Sequence, residues 1–276
     1  MRKFLGWVVL VGVLVAGAIL AGQVANAWNN RHWDGRNRFT LISMNKKDQT
    51  AELYSIDPES GQAIHLVLPS EMEVDTIGGR GVWKISAVVS LADKYGPVWA
   101  ADSIANFLDI PYTAVKEKID VWDKLSWWNL SRGVDFQDIS LKNTDLVRKI
   151  ETPDGETVLG LTSWWQNKAG DLFYSSNLAK EELNVEVYNT TNVTGLASRV
   201  AQLLENAGVK VTITGEAGEI AGRCQVASSH QMVSDPGVEW ITRFMSCSRI
   251  EKNDLDTKQV QIYLGNDYVS WLKGAF

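Results

Sequence analysis

Several stretches of this chain carry residue types that can do chemistry. Around Gly78-Gly79-Arg80-Gly81 and Lys84, a glycine-rich turn sits beside two cations. That composition can cradle a phosphate through backbone amides, with Arg80 and Lys84 as the cationic lip of an anion pocket. The spacing is not that of a P-loop, so a tight turn is the plainer reading. Asn189-Thr190-Thr191-Asn192-Val193-Thr194 places amides and hydroxyls ahead of an apolar stripe at Leu196, Val200, Leu203 and Leu204. A helix N-terminus of that kind accepts a phosphate or carboxylate. Capping by Thr194 or a neighbouring polar side chain is the more ordinary use. Trp122, Trp127, Trp128, Trp164 and Trp165 offer rings for stacking on sugars. Packing against one another or against membrane headgroups is the blander role. His32, His65 and His230 are far apart and show no metal-ligand spacing, so they read as surface or strand histidines.

Two cysteines occur, Cys224 and Cys247. Residues 222–228 read as a strand and 237–246 as a helix running back along it, which brings the two thiols to the same end. A disulfide is then geometrically reasonable and suits an extracytoplasmic compartment. Two unpaired, half-buried thiols are the equal alternative. The net charge of −6 argues against a nucleic-acid partner, which needs a basic face.

The elements that position these residues follow from periodicity. Val185, Val187 and Tyr188 form a short β-favouring run, and the helical stripe from Leu196 ends at Ala207-Gly208. Val209, Val211 and Ile213 then alternate with polar residues, as in a strand with one buried face. Strand, helix and strand joined by short loops predict a parallel pair with a right-handed crossover. Earlier, Arg38–Asn45, Ala51–Asp57 and Gln62–Leu68 read as a strand meander. Helices over Ile85–Lys94 and Val98–Leu108 follow, broken by Gly96-Pro97 and stopped before Pro111. Further on, the pattern predicts strands at Arg223–Ser228 and Gln259–Leu264, a helix over Gly237–Met245, and a short helix from Asp267. This is an α/β chain.

At the N-terminus, Arg2-Lys3 precede an uncharged run from Phe4 to Gly22. Its length suffices to cross a bilayer, and the basic pair favours a cytoplasmic start with the rest exported. Ala25-Asn26-Ala27 resembles a signal-peptidase site, so cleavage competes with an anchor. The length of the run, with Trp28 and Trp33 beyond it, favours the uncleaved anchor. Residues 1–27 are thus read as a transmembrane anchor or signal segment and 28–37 as a juxtamembrane linker.

Asn189-Thr190-Thr191 followed by Gly195-Leu196-Ala197 resembles the C-terminal domain of LytR-CpsA-Psr proteins, and Gly265-Asn266-Asp267-Tyr268 is similar to that domain's ending. A small α/β domain over 183–273 is the implied fold. From about Arg38 to Leu161 the order of pieces resembles the family's catalytic domain. Leu68-Pro69-Ser70-Glu71 stands where the family has Ile-Pro-Arg-Asp, followed by Gly78–Gly81 and Lys84-Ile85-Ser86-Ala87. Further on, Asp154-Gly155-Glu156 is similar to the Asp-Gly ahead of the family's arginine-rich helix. The resemblance implies transfer of a phosphoglycosyl unit from a polyprenyl-linked carrier to the cell wall. That chemistry needs arginines on the pyrophosphate and acids on a divalent metal.

This sequence departs from that pattern. Ser70 replaces the first arginine, leaving Glu71 as a lone candidate ligand for Mg²⁺. No arginine occurs between Arg148 and Arg199. The expectation is therefore a degenerate, shortened domain over 38–180 in a membrane-anchored envelope protein with its bulk outside the cell. Its role would be non-catalytic: binding a wall glycan, a lipid-linked intermediate or an envelope protein. Ser70, Arg80, Lys84, Asn189, Thr190 and Thr191 are the candidate ligand contacts. The alternative is a divergent phosphotransferase using Glu71, Arg80, Lys84 and Mg²⁺.

Overall fold

A computed structural model describes residues 32–153, 155–218 and 222–272, together with Gly17 and Gly22. The anchor or signal read over 1–27 and residues 28–31 of the linker otherwise lie outside the described residues. Among the described residues, no helix is long and apolar enough to cross a membrane.

The first sheet is built on the meander. Strands β1 (Phe39–Asn45), β2 (Thr50–Ile56) and β3 (Ala63–Leu68) pair antiparallel in sequence order. Two short strands extend it, β6 (Ala114–Val115) parallel to β1 and β7 (Gln137–Ser140) parallel to β3. Alternation in β2 and β3 turns Ala51, Leu53, Ile64, Leu66 and Leu68 inward. There they meet helices α1 (Ile85–Tyr95) and α2 (Pro97–Leu108), whose Ile85, Val88, Val89 and Ile104 are fully buried. The two helices part at Gly96, which has φ 96°, and Pro97 starts the second one without needing an amide partner.

Two hairpins and three helices are not apparent from periodicity. Strands β4 (Glu73–Asp75) and β5 (Val82–Lys84) make a hairpin around Gly78–Gly81, and β8 (Val147–Glu151) pairs with β9 (Thr157–Leu161) in a second. Helix α3 (Val121–Ser131) is capped by Asp120, whose carboxylate accepts from the amides of Trp122 and Asp123. Helices α4 (Trp164–Phe173) and α5 (Ser176–Lys180) lead into the second sheet.

That sheet has the order β11-β10-β14-β12-β13. Its strands are β10 (Asn184–Asn189), β11 (Lys210–Glu216), β12 (Gln225–Ser228), β13 (Ser248–Glu251) and β14 (Gln259–Leu264). The crossover through α6 (Leu196–Asn206) leaves β10 and β11 parallel, as the strand-helix-strand pattern predicts. Helix α7 (Pro236–Phe244) links β12 to a parallel β13, and α8 (Asn266–Leu272) ends the described chain. Cys224 and Cys247, each one residue ahead of its strand, are joined in a disulfide with Cα atoms 4.7 Å apart.

Two glycines mark close backbone approaches. A Cβ on Gly208, at φ 98°, would stand 3.0 Å from the Ser175 carbonyl, where α6 turns back against the end of α4. One on Gly265 would lie 2.7 Å from the Cys224 nitrogen and 2.8 Å from the Arg223 Cα, all backbone atoms that cannot swing aside. Gly265→Ala is therefore expected to destabilise the fold by about 2–4 kcal/mol, measured as a shift in denaturant midpoint at unchanged slope. A midpoint within error of the unmodified chain would show that the strand ends separate freely.

Candidate functional site

The candidate residues around the first hairpin take separate partners. Glu71 accepts from Lys142 Nζ at 2.5 Å and from Ser70 Oγ at 2.9 Å, and the lysine holds its carboxyl below the usual range. Lys84 pairs with Glu156. Arg80 lays its guanidinium over the Tyr95 ring, 3.9 Å from the centroid, with Trp99 behind at 5.9 Å. The glycines beside it make a tight turn, with Gly78, Gly79 and Gly81 all at positive φ and the Gly81 carbonyl receiving both Thr76 N and Thr76 Oγ1.

Mg²⁺ does not fit at Glu71. The ion prefers an octahedron of oxygens, and this carboxylate has an ammonium group already on it. Among the described residues, the group of acids and imidazoles close enough to share a cation is His32, Asp120 and Asp123, elsewhere in the fold.

Asn189, Thr190 and Thr191 are turned inward. Asn189 is 1% exposed; its Oδ1 accepts from Thr191 N and Oγ1, and its Nδ2 donates to the Val193 carbonyl. Thr190 Oγ1 donates to the Leu264 carbonyl at 2.7 Å, tying β10 to the end of β14. The hydroxyls read as ligand contacts thus hold an Asx-type turn together. The cap of α6 is Gly195 in the left-handed region with no side-chain cap bond, so Thr194 does not cap it.

The tryptophans divide. Trp165 is buried and donates from Nε1 to the Leu108 carbonyl, while Trp127 packs on Phe39, Tyr54 and Phe136. Trp164 and Trp128 remain exposed. They do not form one platform.

A large concavity lies elsewhere, at the seam between the two sheets' helices. It encloses about 780 Å³. One wall comes from α2 and the segment after it, with Val98, Ala105, Ile110 and Val115. The other comes from α6 and α7, with Leu203, Trp240, Phe244 and Met245. Polar groups gather at the rim: Asp102 bonded to Tyr112 Oη at 2.5 Å, Lys118, Arg243 and the entering segment His32–Asp34. Burial, followed by the Asp102 charge, drives the Tyr112 phenol far above its ordinary value, so it stays a neutral donor. A mostly apolar cleft with a polar rim suits an amphiphile. No sequence signal marks it, because its walls come from distant segments.

The rim is pinned by a second arrangement that sequence spacing could not disclose. The buried Asp123 carboxylate accepts the amides of His32 and Trp33 at 3.0 Å each. The His32 imidazole lies 3.2 Å from Asp120 and 3.4 Å from Asp123. The Asp123 bond leads in raising the His32 pKa to about 9, against partial burial and with help from Asp120.

No curated protein sequence matches the chain. Residues 182–268 match the family described as LytR cell envelope-related transcriptional attenuator. That match falls on the strands of the second sheet and the helices between them. Among solved structures, the chain is similar to TagT bound to LI-WTA, with 10% identity over 49% of this chain and 89% of that one, at a TM-score of 0.39. TagT from B. subtilis gives 12% identity over 51% and 91%, at 0.36. The LytR-CPS2A-psr family protein YwtF (TagT) with bound octaprenyl pyrophosphate lipid gives 12% over 74% and 82%, at 0.25. Likenesses at this level outline a shape and carry no statement about activity.

Because the folded His32 pKa exceeds its ordinary value near 6.5, the clamp contributes fully below that pH. The imidazole's share is lost as pH rises through about 9, while the Asp123 bonds to the two amides remain. An NMR titration of the full chain is expected to give the His32 imidazole a midpoint of about 9, against roughly 6.5 for a free histidine. A midpoint near 6.5 would mean the imidazole does not engage Asp120 and Asp123.

Proposed function

We propose that this chain is a membrane-anchored, extracytoplasmic envelope protein that binds a polyprenyl-linked glycan intermediate in the seam cavity without transferring it. The observation that carries the reading is the cavity itself. Its apolar walls suit an isoprenoid tail, and Lys118, with Arg243 beside it although paired with Glu239, suits the phosphate. The apolar run Phe4–Gly22 supports the anchor, and the C-terminal family match supports an envelope role.

Absence of transfer rests on the first hairpin. Phosphoryl transfer needs converging cations and a metal-ready carboxylate at the departing charge. Glu71 is instead neutralised by Lys142, Lys84 is paired with Glu156, and Arg80 is stacked on Tyr95. Removing such contacts costs on the order of 10²–10³ in rate for a single donor, and several are missing.

The test uses the full chain in detergent with a polyprenyl-pyrophosphate glycan and Mg²⁺, reading binding and glycan transfer together. Binding without transfer is expected. Val98→Trp, which fills the cavity from a partly exposed wall position, should weaken binding roughly tenfold, about 1.4 kcal/mol. Transfer that disappears in Glu71→Gln would establish the phosphotransferase instead. Binding that Val98→Trp leaves unchanged would remove the cavity from the account.

A further inference from the structure

Helix α3 carries an apolar stripe that nothing in the fold covers. Val121, Leu125 and Trp128 are 71%, 51% and 57% exposed, and their spacing of four and three residues puts them on one line of the helix. Arg132, four residues further, extends that line and lays its guanidinium 4.6 Å from the Trp128 ring centroid. Lys124 flanks the stripe. The inward face is the opposite one: Trp127 and Leu130 pack toward Phe39 and Tyr54, and Asp123 is buried.

The charge on this helix is one-sided as well. Both of its local carboxylates are already engaged, Asp120 by the cap and His32, and Asp123 by the His32 and Trp33 amides. The solvent face therefore offers Lys124 and Arg132 and no acid, in a chain whose net charge is −6.

The same two acids fix where α3 stands relative to the N-terminus. Through them, the chain enters the fold at His32–Trp33 directly against the start of this helix. Nine residues, 23–31, separate the apolar run ending at Gly22 from that point. Fully extended they reach roughly 30–35 Å, so an anchor in the run keeps α3 close to the bilayer.

We infer that α3 is a second membrane contact, an interfacial helix that seats Val121, Leu125 and Trp128 at an anionic lipid surface with Lys124 and Arg132 on the phosphates. An aromatic ring with an apolar flank and a cation stacked on it suits the headgroup boundary. One docked helix beside the anchor sets the orientation of the whole fold, which a single point of attachment leaves free. This inference rests on the anchor reading of the N-terminal run.

The test reconstitutes the full chain in phosphatidylglycerol-containing vesicles, with a nitroxide on Leu125→Cys or, as a distant control, on Ile213→Cys. Both positions are exposed, so neither substitution disturbs packing. The expected result is flotation with vesicles, and a 125 label that collides with oxygen severalfold more than with a nickel chelate while the 213 label stays aqueous. Flotation with both labels aqueous would overturn the docking and leave the anchor standing. Loss of flotation would overturn the anchor and the docking with it. Dipolar broadening between 125 labels would assign the stripe to a second copy of the chain and overturn the lipid contact.

Discussion

The relation between the two sheets depends on a polar clamp at the end of α2. Asp109 closes that helix in the left-handed conformation, with φ 51°. Arg199 on α6 meets its carboxylate at 3.3 Å and donates to the Asn106 carbonyl at 2.9 Å, and Asn206 donates to the Asp109 carbonyl at 2.7 Å. One side chain from α6 thus meets both the carboxylate and a last-turn carbonyl of α2. Burial pushes the Asp109 carboxyl up while Arg199 pulls it down, and burial prevails. A half-buried pair of this kind contributes little net stability, but breaking one side leaves the other uncompensated, so it specifies one docking geometry.

A second buried node fixes the other side of the seam. Arg38, 7% exposed, donates to the Tyr174 carbonyl and to Ser55 and Gln62, and burial lowers its pKa to about 10. Asp57 accepts from Ser60 and Ser176, which link the meander to α5. Both nodes spend charge on architecture. The same tendency quiets the first hairpin, where each cation that might face a pyrophosphate is paired or stacked. Charges committed to structure in this way cannot reorganise around a ligand without uncovering their partners.

How much of this was legible in the sequence follows from the length and regularity of each element. β1 to β3, α1, α2 and the β10-α6-β11 unit were readable because each runs six residues or more in one strand or helix pattern, although Ile213 of β11 stands exposed rather than on the buried face its alternation predicts. The hairpin strands β4 and β5 are three residues each, too short to show a period. Helix α3 misleads for a different reason: its outward face is the apolar one, and its inward face includes Asp123. The His32 cluster joins residues 88 to 91 positions apart, so no local spacing announces it. Asn189-Thr190-Thr191 shows the converse error. Hydroxyls at a loop ahead of a helix look available, yet Thr190 is taken up by the Leu264 carbonyl at the end of β14, and Asn189 and Thr191 by the backbone of the turn itself.

The position of Asp123 ties these parts into one geometry. Its carboxylate holds the entering chain at His32 and Trp33, which are themselves on the rim of the seam cavity. The helix that carries it turns Val121, Leu125 and Trp128 outward. Point of entry, cavity rim and apolar stripe are therefore neighbours by hydrogen bonding rather than by chance of surface. An amphiphile held with its tail in a membrane could pass to the cavity without its apolar part crossing open water, and desolvation at the rim would be completed by the lipid. A cavity on the far side of the second sheet, near Ile213, would lack that route whatever its size. On the proposed function, placement more than the shape of the pocket would favour a lipid-linked ligand over a soluble sugar.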